Sequence, residues 1–179
     1  KYLEQSRTNI EIVMLEEDLH SFIELTDSKS GEVYKVKLHG KADRIDRVGG
    51  ITRIVDYKTG KVETKDLRID MISGIHEKED SGKLLQVLTY ALMYSEMQAV
   101  PPGQLISGII SLRKTSEYLI RTDIGKSDVI DKALLADFRH ELTKVISSIF
   151  DTSSLFSQTE NRDTCKLCAF NAICNRTVN

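Results

Sequence analysis

A chain of 179 residues is long enough to bury one core. Its composition, 40% hydrophobic and 29% charged, excludes a disordered or fibrous chain, and no apolar run approaches the ~18 residues of a membrane span. A formal net charge of -2 argues against a general nucleic-acid binder. The chain opens on Lys1 without a signal-peptide pattern, so it reads as a piece of a longer protein in a reducing cytoplasm.

The charge is unevenly spread. Between Lys35 and Arg68 ten Lys and Arg stand against five Asp and Glu, a local +5 on a remainder of -7. A basic segment on an acidic body suits a local polyanion site, although a solvated charged face gives the same count.

Along the chain, Ile10 to Leu25 predicts one or two strands, and Thr26 to Glu32 a turn-rich loop. Val33 to Val48 and Ile51 to Tyr57 predict two further strands. Residues 63 to 82 predict a loop or short helix. Lys83 to Met97 predicts a helix, with apolar residues at 84, 85, 88, 91 and 92. Leu105 to Leu112 predicts a buried strand, and Tyr118 to Ile124 its partner. Ser127 predicts the N-cap of a long helix running to Phe150, with Ile130, Leu134, Phe138, Leu142, Val145 and Ile149 along one face. Strands, helix, strands, helix predict an α/β chain: a mixed sheet with helices packed on it.

The chemistry concentrates between Gly40 and Lys61. Gly49-Gly50 predicts a two-residue hairpin turn, because glycine tolerates positive φ at both positions. Val48 then faces Ile51, Ile45 faces Ile54, and Asp43 faces Asp56. Lys58, two residues past Asp56, shares its face, and Asp46 falls on the other side, near Arg44 and Arg53. Two opposed carboxylates repel unless a cation lies between them, and such a pair suits Mg²⁺ or Mn²⁺. Simple charge pairing of Asp56 with Lys41 or Lys58 is the alternative on the residues alone.

The stretch G-K-A-D-R-I-D, then D-Y-K-T-G, then Q-x-x-x-Y resembles the RecB-family branch of the PD-(D/E)XK nuclease superfamily. The resemblance implies a restriction-endonuclease-like core with a central mixed sheet. It implies metal ligands at Asp43, Asp56 and the carbonyl of Tyr57, and catalytic roles for Asp43, Asp56, Lys58, Gln86 and Tyr90. Lys41, Lys61 and Tyr90 are then candidates for DNA contact. The implied activity is Mg²⁺-dependent DNA hydrolysis in repair or recombination. The usual substrate would be single-stranded DNA, digested as an exonuclease beside a helicase subunit or domain. A non-catalytic DNA-end-binding or scaffold module of the same fold is the second reading.

Cys165, Cys168 and Cys174 form C-x2-C-x5-C, with no cysteine before them. An odd, tight cluster argues against a disulfide framework and for metal. The pattern resembles the iron–sulfur clasp of AddB-like helicase–nuclease subunits, which implies a [4Fe–4S] cluster, with Zn²⁺ as the rival ligand. In this reading 1–179 is a single nuclease domain and 160–179 its cysteine-rich clasp. Such a cluster takes a fourth Cys, and the family's site takes a His or Glu from an upstream helix. Both are expected before Lys1, so the activity is expected of the full-length protein, and a fragment lacking them could be inactive.

Overall fold

The computed structural model describes residues 9–176 except 28, 79, 102, 114–117, 154 and 156. Its chain divides into two compact units, Lys1–Ser147 and Ser148–Asn179. The first unit holds a five-stranded mixed sheet.

Strands β1 (Ile10–Thr26), β2 (Val33–Val48) and β3 (Ile51–Lys58) form an antiparallel meander. The β2–β3 turn is Gly49-Gly50, with φ of 58° and 84°, values that glycine adopts without the Cβ penalty. Strand β5 (Leu105–Ser111) lies parallel to β3, from Thr52 opposite Leu105 to Lys58 opposite Ser111. Parallel neighbours need a long crossover. Here helix α1 (Gly82–Met97) supplies it, and Leu84, Val87, Leu88, Ala91 and Leu92 are buried at helical spacing. A short strand, β6 (Ile120–Arg121), closes the order β1-β2-β3-β5-β6.

Between β3 and α1, two 3₁₀ turns, Thr64–Leu67 and Ile75–Glu77, flank β4 (Arg68–Ile69). Strand β7 (Asp123–Ile124) pairs with β4 in a separate parallel ribbon, so the predicted partner strand of β5 splits between two sheets. Helix α2 runs Lys132–Phe150. Its start corrects the sequence reading. Ser127 forms a bridge with Ile124, and the carboxylate of Asp131 accepts the N–H of Leu134 at 2.8 Å. The apolar face is also shifted, because Leu135, Phe138 and Ile146 are buried and Ile149 is exposed.

The core brings together Leu19, Ala42, Ile45, Ile54, Leu84, Leu88, Ile109, Leu135 and Phe138. Only Arg44 to Val48 of β2 pairs with β3, so the rest of the β1–β2 ribbon runs past the end of β3. It crosses α1: the N–H of His20 donates to Met97 Sδ at 3.4 Å, and the hydroxyl of Ser21 donates to Glu96. Beyond that, Ile23 and Leu25 pack with Ile146 of α2.

Two strands change face where the ribbon departs. Met14 and Ile45 pack into the core on one side of the change, and Leu19 and Ala42 on the other. An unbroken pleat would put Ala42 and Ile45 on opposite faces. Glu16, with φ of 48°, and Asp43 sit between these pairs. The pleat therefore breaks next to the residue that the sequence marks as a metal ligand.

Within Ser148–Asn179, a 3₁₀ turn spans Arg162–Leu167 and is capped by the side chain of Asn161, which accepts the N–H of Asp163 at 2.9 Å. Among the described residues, no helix is long and apolar enough to cross a membrane.

Candidate active site

Asp56 and Lys58 lie at the C-terminal end of β3, on the face that α1 covers. Asp56 is 4% exposed, and burial pushes its pKa up, with Asp43 adding to the rise and Lys58 opposing it. Lys58 Nζ stands 2.9 Å from Asp56 Oδ2. That ammonium is the partner of the buried Oδ2, and no other donor reaches this oxygen. A buried carboxylate beside a second one costs stability, which the ammonium offsets in part and a bound cation would offset further.

Lys58 Nζ also donates to Gln86 Oε1 at 2.8 Å, and Gln86 Nε2 donates to the Tyr90 hydroxyl at 2.9 Å. Gln86 and Tyr90 are one helical turn apart on α1, so both reach the strand end from one helix face. The result is a continuous polar chain from Asp56 through Lys58 and Gln86 to Tyr90.

Asp43 arrives differently from the simple hairpin expectation. The β2–β3 pairing follows the expected register from Val48–Ile51 to Arg44–Val55, and its pairs stop there. One residue further, Asp43 Oδ2 accepts the backbone N–H of Tyr57 at 2.7 Å. The carboxylate takes over from the strand backbone as acceptor where β2 leaves β3. This keeps Asp43 beside Asp56, close enough to raise its pKa.

The opposite face holds Asp46, as its parity requires. Asp46 is fully buried and accepts Arg53 Nε at 2.5 Å and Arg53 Nη2 at 2.9 Å. Arg44 Nε is 2.9 Å from Asp46 Oδ2. Arg44 also donates to the hydroxyls of Tyr57 at 2.6 Å and Tyr118 at 3.1 Å. Sequence reasoning missed this Arg44–Tyr57 contact. It braces the strand end from behind, because Tyr57 is the residue whose N–H holds Asp43.

The candidate DNA contacts are scattered. Lys41 pairs with Glu16 at 3.0 Å, and Lys61 pairs with Glu63 at 2.7 Å. Tyr90 is half-buried in the polar chain just described.

Two neighbouring carboxylates, one of them buried, fit a divalent cation, which Asp43 and Asp56 would hold. Among the described residues no group of three His, Cys, Asp or Glu side chains is placed to hold a metal. The three cysteines are therefore not gathered as cluster ligands. Cys165 is buried, Cys168 exposed and Cys174 half-buried, all as free thiols. Cys165 Sγ instead faces Arg176 Nη1 at 3.7 Å, and Cys168 Sγ accepts the N–H of Phe170 at 3.4 Å.

A mixed sheet flanked by two helices, with a parallel β3–α1–β5 crossover, is an α/β fold of the restriction-endonuclease-like kind. The chain belongs to the PD-(D/E)XK nuclease superfamily, whose family model matches residues 1–175. Neither a curated protein nor a solved structure matches it.

Proposed function

We propose that this chain is a divalent-metal-dependent deoxyribonuclease domain whose active site is Asp43, Asp56, Lys58, Gln86 and Tyr90. One observation carries the reading. Lys58 is held between the buried carboxylate of Asp56 and Gln86 at the strand end, and Asp43 lies beside Asp56. Superfamily membership supports it independently.

Asp43 and Asp56, with the carbonyl of Tyr57, would hold the cation, which when bound supplies Lewis acidity and lowers the pKa of a water. The chain's own groups do the rest. An ammonium has three donors. Gln86 takes one and Asp56 draws a second, so the third is available to a phosphate oxygen. Placed there, it offsets charge that develops as the water oxygen bonds to phosphorus and the P–O bond to the leaving sugar breaks. Gln86 and Tyr90 fix the ammonium in place, which matters because a loosely held donor contributes little.

The order G-x-x-D-R, D-Y-K-T-G, Q-x-x-x-Y supports the RecB branch. On that reading the metal is Mg²⁺, the substrate is single-stranded DNA entered from an end, and a helicase delivers it in repair or recombination. The AddB-like cysteine clasp over 160–179 rests on spacing alone, with the fourth thiolate supplied from elsewhere. Anaerobically purified protein with iron–sulfur colour supports that clasp, and colourless protein with stoichiometric zinc replaces it.

The test is degradation of end-labelled single-stranded, duplex and circular DNA with Mg²⁺ or a chelator. Metal-dependent loss of linear single strands, with circles spared, supports the full reading. DNA bound but left intact in the presence of Mg²⁺ makes the chain a binding module.

A further inference from the structure

We infer that Gly40 is a positioning residue of the active site, and that the room left by its missing side chain sets the place of Lys58. The inference rests on the proposed nuclease reading of that site.

Gly40 lies on β2 opposite Leu19, on the side of the ribbon that faces α1. A Cβ built on Gly40 would stand 2.8 Å from Tyr90 Cε1, 3.5 Å from Tyr90 Cδ1 and 3.3 Å from Met93 Cε. Carbon atoms in contact sit ~3.5–4.0 Å apart, so the first of these is a collision. Met93 is fully buried and has little room to yield, whereas Tyr90 is half-buried. The φ of Gly40 lies outside the left-handed region. The backbone there would accept alanine, so the demand for glycine is steric and comes from the Tyr90 ring.

That ring is the last member of the polar chain. Its hydroxyl holds Gln86 Nε2, and Gln86 Oε1 holds Lys58 Nζ. Moving the ring outward pulls the hydroxyl off Gln86, frees the amide to rotate, and releases Lys58 from one of its two anchors. The bare patch on the ribbon and the lysine at the strand end are thus one device. It works because the ribbon, after the break at Glu16 and Asp43, presents Gly40 to the helix.

The test compares Gly40→Ala, Tyr90→Phe and the double variant in the full chain. The readouts are Mg²⁺-dependent cleavage of labelled single-stranded DNA and the Gln86 side-chain amide resonances by NMR. Gly40→Ala is expected to lower kcat about 10–100-fold with KM unchanged. In the Tyr90→Phe background, where the hydroxyl is already gone, it should cost nothing further. The Gln86 amide resonances in Gly40→Ala should move to where Tyr90→Phe puts them. Independent, multiplying losses, or unmoved amide resonances, overturn the inference. If Gly40→Ala fails to fold, adding Tyr90→Leu should restore folding, and failure to do so also overturns it. Absence of cleavage by the unaltered chain defeats the nuclease reading instead, and the NMR comparison still judges Gly40.

Discussion

The carboxylate of Asp43 accepts the backbone N–H of Tyr57 at 2.7 Å, across fourteen residues of sequence. Asp43 therefore has two tasks: it ends the β2–β3 ladder and it places a charge beside Asp56. The two tasks separate by mutation. Asp43→Asn keeps an oxygen acceptor for Tyr57 and should leave stability within about 1 kcal/mol while removing on the order of 10³-fold from kcat. Asp43→Ala should lose the same activity and also about 1–3 kcal/mol of stability in urea. Equal stability of the two variants would show that the Tyr57 contact contributes nothing.

Asp56 makes a prediction of unusual sign. Its pKa is raised in the folded state, chiefly by burial. A carboxyl with a raised folded pKa binds its proton more tightly in the folded state, so stability falls as pH rises from the ordinary aspartate value through the raised one. Without metal, Asp56→Asn should therefore be more stable than the unaltered chain at neutral pH and should show less of that acid-side slope. Denaturation curves across the acid range check this. A less stable Asp56→Asn at neutral pH would mean that the Lys58 ion pair outweighs the burial. Cation affinity should fall as pH drops through the raised pKa, because the proton competes with the cation.

Lys58 and Gln86 should differ in degree. Lys58→Met removes the charge that faces the phosphate and should cost about 10²–10³-fold in kcat, with cation affinity retained. Gln86→Ala removes only the anchor and should cost about 10–100-fold. Gln86→Ala as damaging as Lys58→Met would mean that Gln86 touches the substrate itself.

Asp46 belongs to stability alone. It is fully buried against Arg53, with Arg44 beside it. Asp46→Ala strands two arginines and should cost about 3–5 kcal/mol, read by urea denaturation. A loss below 1 kcal/mol would contradict the buried pairing.

Much of this was readable in the chain. The register of β2 on β3 followed from Gly49-Gly50, since a two-residue turn fixes the pairing, and the split of Asp43 and Asp56 from Asp46 followed from strand parity. The helix over Gly82–Met97 followed from its apolar spacing. Three features were not readable, each because it depends on distant packing. The break at Glu16 and Asp43 appears only when the ribbon must fold over α1. The bond from Asp43 to Tyr57 exists because pairing stops there. The start of α2 moved from Ser127 to Lys132 because Ser127 is held in a bridge with Ile124, and Asp131 caps instead.

The central claim is that Asp43, Asp56 and Lys58 form a metal-dependent phosphodiester-cleaving site. Its most direct test is the rate of Mg²⁺-dependent cleavage of labelled single-stranded DNA by the full-length protein, with the unaltered chain, Asp56→Asn and Lys58→Ala side by side. The account predicts cleavage by the unaltered chain that a chelator stops, and a loss on the order of 10²-fold or more in each variant. Cleavage at the same rate by all three would contradict it.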